Sequence, residues 1–389
     1  MAQPVLLAYP FRVFFLLTAV SGALAIIAWL AMLAGWVPLP VGVPAPWWHA
    51  HAMLYGFVPA AAAGFLLTAM PNWTGVAPPR GTALCALAAL WGAGRLAMLG
   101  VAWLPGWLVA TVDLAFLPTL AAVALRMLVI ARNYRHLPIV AILLGMATGN
   151  ALMHAAFIGW APALARPGEL VALDLIALLI AIIGGRIVPA FTRNWLNRRG
   201  ADGSLVRSWS WLEATALGSL ALLPMIDLIA PRHTAVAALA ATAALLQLAR
   251  LGGWQGWRTG ADGLVWILHL GYLWLPVALG LRALSVGGFV IAPTAWMHAL
   301  GAGAMGTMII GVMARVSVGH TGRGLILRPG ALWMFALVTL GALLRVAAGL
   351  ALASAALYGA GLAWAGAFLL FIISYGPVLW RPRVDGKPG

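Results

Sequence analysis

The chain has 389 residues, of which 64% are hydrophobic and only 8% charged, whereas soluble globular domains carry about 25% charged residues. So few charges cannot cover a soluble surface, which leaves lipid as the main solvent and excludes an ordinary soluble enzyme. The formal charge of +15 would suit a nucleic-acid binder, but the basic residues are scattered between apolar runs instead of clustered, so no nucleic-acid partner is expected.

A helix that crosses a bilayer needs roughly 17–25 predominantly apolar residues. In chain order, twelve such runs are predicted near 13–35, 49–70, 82–103, 107–131, 137–160, 168–190, 209–229, 233–254, 263–285, 293–316, 330–350 and 353–380. The first follows Arg12 and is longer than the roughly 7–15-residue core of a cleaved signal peptide, so it is read as a span. The connectors at Pro105 and Pro231-Arg232 are the shortest. Little chain remains for loops. Residues 1–389 therefore read as a single transmembrane domain, an all-α polytopic membrane helix bundle of about 12 transmembrane helices with the lipid bilayer as its main partner.

Alternate loops differ in charge. Of the 23 basic residues, Arg95, Arg166, Arg232, Arg282 and Arg345 fall on one side and the others on the opposite side. The positive-inside rule then puts both termini in the cytoplasm. Arg95, Arg282 and Arg345 each sit near the outer end of a span in similar apolar surroundings, a weak sign of a repeating helical hairpin.

The single cysteine, Cys85, removes disulfides, thiolate zinc sites, iron–sulfur clusters and covalent haem attachment from consideration. Any metal must use other ligands. Of the eight histidines, His49, His51, His154 and His298 share the outer depth of three spans, whereas His136 and His233 read as loop residues. An intramembrane ionisable group is costly, so each outer histidine is either hydrogen-bonded across a helix interface or a ligand. Imidazoles from facing helices suit haem iron, copper or zinc. His49 and His51 cannot both face inward from a regular helix, because residues i and i+2 lie about 200° apart.

Gly301, Gly303, Gly306 and Gly311 beside His298 offer either a flat haem slot or tight helix packing. Arg95, Arg282 and Arg345 are placed to meet haem propionates, although snorkelling explains them equally. On the cytoplasmic side, His269 and Tyr272 share a helix face and suggest a ligand or a quinol pocket, with Arg186, Arg193, Arg315 and His320 at the same depth. Asp113 and Asp174 in outer halves of spans are candidate proton carriers; pairing with the outer arginines is the alternative.

Six stretches occur in order across most of the chain: Pro10-Phe11-Arg12, WHAHAMLYGF (48–57), GFLLTAMPNWTG (64–75), GGRIVPAFTRNWL (184–196), LHLGYLWL (268–275) and HALGAGAMGTMIIGVMARVSVGHTGR (298–323). Together they resemble the NnrS family of bacterial membrane proteins. The resemblance implies a multi-pass protein of the bacterial inner membrane that belongs to the response to nitric oxide and contains haem b and copper. It implies His49, His51, His269, His298 and His320 as motif histidines, with His154 as a further family feature. The expected activity is reduction of nitric oxide to N2O at a His-ligated haem with electrons from quinol. The alternatives are a non-catalytic haem- or copper-binding sensor or sink, or a metal or haem transporter. His154 and His298 are the expected haem ligands, and His49 and His51 are expected at a second metal. Where the family motif is expected to continue with Glu after the second histidine, this chain has Ala52, which removes a carboxylate from the implied proton route.

Overall fold

A computed structural model describes residues 4–37, 43–231, 233–351 and 354–387. Among them are the twelve expected helices long and apolar enough to cross a membrane, and no strands. They are α1 (Pro10–Leu33), α2 (Ala45–Thr74), α3 (Gly81–Leu99), α4 (Gly106–Ile130), α5 (Tyr134–Phe157), α6 (Pro162–Arg198), α7 (Ser210–Ile229), α8 (Thr234–Gly253), α9 (Gly263–Val286), α10 (Pro293–Gly319), α11 (Ala331–Leu350) and α12 (Ala355–Trp380). Several outrun the apolar runs that mark them, α6 most of all. Hydropathy registers only the lipid-depth core, while the backbone ladder continues into the polar interface. Arg232, counted above among the outer basic residues, lies outside the described residues.

The chain forms two compact units, one of Met1–Ala172, Val316–Leu325 and Phe371–Gly389, the other of Leu173–Arg315 and Ile326–Leu370. In the first, α2 is the central element: 89% of its span is buried, against 33% for α3. Local sequence sets its ends. Pro46 stands in the first turn, where its missing N–H is no loss. Gly75 closes the helix at φ 71°, its N–H donating to the Pro71 carbonyl at 2.8 Å. α1 lies along the second half of α2. Gly64 makes this approach possible, because a Cβ there would sit 2.8 Å from the Phe15 ring. The Phe11 N–H also donates to Thr68 Oγ1 at 3.1 Å. Near the start of α1, buried Arg12 donates to the carbonyls of Leu379 and Arg381 at 2.7 and 2.9 Å. A cation thus satisfies the orphan acceptors at the C-terminus of α12.

In the second unit α9 lies between α8 and α10, and Asp262 starts it by accepting from the Leu264 N–H at 3.0 Å. Leu96, Ile229 and Ile373 are each more than half exposed, as side chains facing hydrocarbon should be. Two helices change pitch. Ala52–Phe57 in α2 and Ala299–Met305 in α10 are π-helical, a local widening that often marks functional sites.

Candidate metal centre

The most concentrated buried chemistry of the first unit gathers at the π-segment of α2. His51 is the last residue before that segment and is fully buried. Asp113 comes from α4, just ahead of an interruption at Ala115. Pro118 explains the interruption: without an N–H it cannot donate to the Leu114 carbonyl, so one rung of the ladder is missing. Asn150 and His154 are one turn apart on α5 and share a face. All four side chains are at most 3% exposed.

Asp113 Oδ2 is the hub. His51 Nε2 lies 3.0 Å from it, His154 Nε2 2.9 Å and Asn150 Nδ2 2.9 Å. Asn150 Oδ1 is also 2.9 Å from His51 Nε2. The other carboxylate oxygen, Oδ1, pairs with the Arg95 guanidinium from α3. In this state both imidazoles carry the proton on Nε2, since each faces only acceptors there. Glycines open the space for Arg95. A Cβ on Gly94 would come within 3.2 Å of the Asp113 backbone, and one on Gly56 would strike the guanidinium itself. The π-segment takes part too, because the Gly56 carbonyl accepts from Trp91 Nε1 at 2.9 Å. Phe157 closes the site with its ring edge on both histidines, 5.8 Å from each centroid.

His51, Asp113 and His154 offer three ligand atoms within 4.8 Å of one another. Cis ligands around a first-row metal with bonds of about 2.1 Å are separated by roughly 3 Å, so the observed carboxylate–imidazole spacings already match an edge of a coordination polyhedron. Two imidazoles and one carboxylate are a donor set for copper, iron or zinc. The cluster can therefore hold a metal ion once Nε2 of each histidine gives up its proton, and the unpartnered, buried Nδ1 of His51 shows that this ring retains hydrogen-bonding capacity.

The other sequence candidates have separate settings. His49 stacks on Trp29, centroids 4.8 Å apart, so the two histidines of the motif point to different surroundings, as helix geometry demands. His298 belongs to the second unit and occupies the same local position as His51: each follows a helix-starting proline, Pro46 or Pro293, at equal spacing, and each immediately precedes a π-segment. Its Nδ1 lies 2.8 Å from the Thr294 carbonyl, the kind of second-shell anchor that orients a ligating imidazole. The neighbouring glycines are partly taken up by protein: the Trp274 ring lies on Gly303 and the Trp364 ring on Gly306, while Gly301 meets nothing nearer than Met305 Cε at 3.9 Å. The flat space beside Gly303 and Gly306 is filled by indoles, so at these two positions the glycines serve close packing.

His269 lies 2.8 Å from Thr192 Oγ1 through Nε2. Tyr272, on the same face, is engaged elsewhere: its hydroxyl accepts from Arg250 at 2.6 Å and donates to Gln247 at 2.5 Å, in a network that Glu213 completes. Arg282 binds Asp174 and Asp227. Arg345 is half-buried on α11. His320 follows α10 and tilts against Phe11, centroids 5.8 Å apart. His136 stacks on Trp73, and His233 caps α8 by accepting from the Ala235 N–H.

Asn150 and the pairing of Asp113 with two histidines are absent from the sequence reading. The i, i+4 spacing of Asn150 and His154 was the available signal. A family model described as NnrS protein matches residues 5–383, nearly the whole chain, the same family that the six sequence stretches resemble. No curated protein matches the chain.

Proposed function

The chain belongs to the NnrS family, and from that premise we propose that it is a metal-binding protein that handles nitric oxide within the membrane, reducing it to N2O. Multi-pass membrane character and a part in the response to nitric oxide are the coarser statement that spans and family support. The observation that carries the finer reading is the buried His51–Asp113–His154 group. In this reading it holds copper, and haem b, which the indoles on Gly303 and Gly306 keep from that slot, would have to meet His298 on another side. Bound metal would supply the redox chemistry by which nitric oxide is activated.

The chain's own residues have definable tasks. Arg95 keeps Asp113 ionised and fixed by the pair described above, so the carboxylate is presented as an acceptor to a metal or to two imidazole N–H groups. Asn150 orients His51 and Asp113 together. Phe157 and the apolar walls exclude water, and nitric oxide, being small and apolar, needs no polar channel to arrive from lipid. Two NO, two electrons and two protons give one N2O and one water; a quinol, as donor class, supplies both electrons and releases two protons, which balances those consumed.

A second reading, binding of metal and nitric oxide without turnover, is favoured by one observation. Asp113, one of the carboxylates expected to carry protons, is tied to Arg95, and a cation so close disfavours uptake of a proton. Anaerobic purified protein with haem, reductant and nitric oxide, followed for N2O by gas chromatography, separates the two. Turnover above a free-haem control, lost in His154→Ala, supports reduction; no N2O above that control leaves only binding.

A further inference from the structure

The second unit contains a group of ionisable side chains that the metal reading leaves unused. Asp174 on α6, Asp227 on α7 and Arg282 on α9 meet at 2–3% exposure. Arg282 Nη1 binds Asp174 Oδ1 and Nη2 binds Asp227 Oδ2. The Trp296 ring from α10 lies against the guanidinium, 4.6 Å from its centroid. Both aspartates pair with the one guanidinium. Within this trio two carboxylates against one guanidinium leave one negative charge in a dry interior, where an uncompensated charge is strongly disfavoured. The Asp113–Arg95 pair of the first unit has no such excess.

The hydrogen-bond inventory identifies the same gap independently. Among the described residues, Asp174 Oδ2 and Asp227 Oδ1 are buried and have no partner, and one guanidinium holds the two carboxyl groups side by side. Ionised carboxylates are acceptors only, so neither can satisfy the other. One proton between them satisfies both oxygens and cancels the excess charge, in the manner of two like charges that share a site. We propose that Asp174 and Asp227 bind one exchangeable proton between them, forming a proton-holding site in the second unit that Arg282 keeps from taking up a second. It rests on the reductive reading only for its use, as the internal donor of a proton that N2O formation consumes.

Infrared spectroscopy of the purified protein tests the site without nitric oxide, metal or reductant, so its outcome is distinct from that of the reaction itself. Wild-type protein carrying 13C-labelled aspartate should show, at neutral pH, a protonated-carboxyl C=O band that shifts with the label and again in D2O. Asp202 and Asp385 are exposed and Asp262 half-buried, and Asp113 is neutralised by Arg95, so the band belongs to the pair. Asp174→Asn and Asp227→Asn should each abolish it, since either leaves one carboxylate matched to Arg282 and an amide that donates to it. Absence of a label-sensitive band in the wild type, with or without bound sodium, overturns the proposal. So does a band that survives in both variants. If neither variant folds, the label and deuterium shifts of the wild type decide.

Discussion

At the scale of single residues, the account turns on what Asp113 does for its neighbours. It accepts from His51, His154 and Asn150 and neutralises Arg95. Asp113→Ala leaves a mostly buried cation unpaired and His154 and Asn150 without their acceptor, and breaking a buried pair in this way costs about 3–5 kcal/mol. Thermal unfolding in detergent should show that loss. A second residue-scale expectation concerns pH. Burial, and after it the Arg383 guanidinium, pushes His320 below its ordinary 6.5. The folded protein thus binds fewer protons there than the unfolded chain. The associated stability is fully present above about pH 6.5 and is lost as pH falls from that value toward the lowered folded pKa. The melting temperature should drop between pH 8 and pH 5, and His320→Gln should show a smaller drop. These contacts were partly legible in advance. An acid or histidine within an apolar run stands out by its cost, so His51, Asp113 and His154 could be named; which of them meet could not, because a uniformly apolar helix gives no periodic phase.

At the scale of elements, the two π-segments do what an unbroken α-helix would not. The widened turn at Ala52–Phe57 sets Gly56 where its carbonyl meets Trp91 and its missing side chain leaves room for Arg95. Gly56→Ala should therefore displace the guanidinium from Asp113. Destabilisation of about 1–3 kcal/mol, the range for overpacking, is expected together with weakened metal retention, measured by thermal unfolding and by metal content after dialysis against chelator. Gly92→Ala, where a Cβ would meet nothing within 4 Å, is the matched control and should be neutral. The helix-starting prolines at 46 and 293 and the glycine stop at 75 each act through a fixed local cause. The change of pitch at Ala52–Phe57 and Ala299–Met305 was not visible, since hydropathy records no residue preference for it.

At the scale of the whole molecule, hydropathy alone located all twelve spans, because in lipid every backbone polar group must be satisfied within its own helix. The arginine asymmetry adds an orientation: a fluorescent-protein fusion at the C-terminus should light up in bacterial cells and an alkaline phosphatase fusion after Trp160 should be active, the reverse pattern excluding a cytoplasmic C-terminus. Family membership and fold agree on a membrane protein of the nitric oxide response, and the central claim within it is that the first unit carries a metal at His51, Asp113 and His154. Metal analysis of purified protein, joined to X-ray absorption at the bound element, tests this most directly. The account predicts about one first-row metal ion held by nitrogen and oxygen at about 2.0–2.1 Å, lost in His51→Ala and in His154→Ala and retained in His49→Ala. Folded wild-type protein that takes up no metal, or a metal that persists in both His51→Ala and His154→Ala, would contradict it.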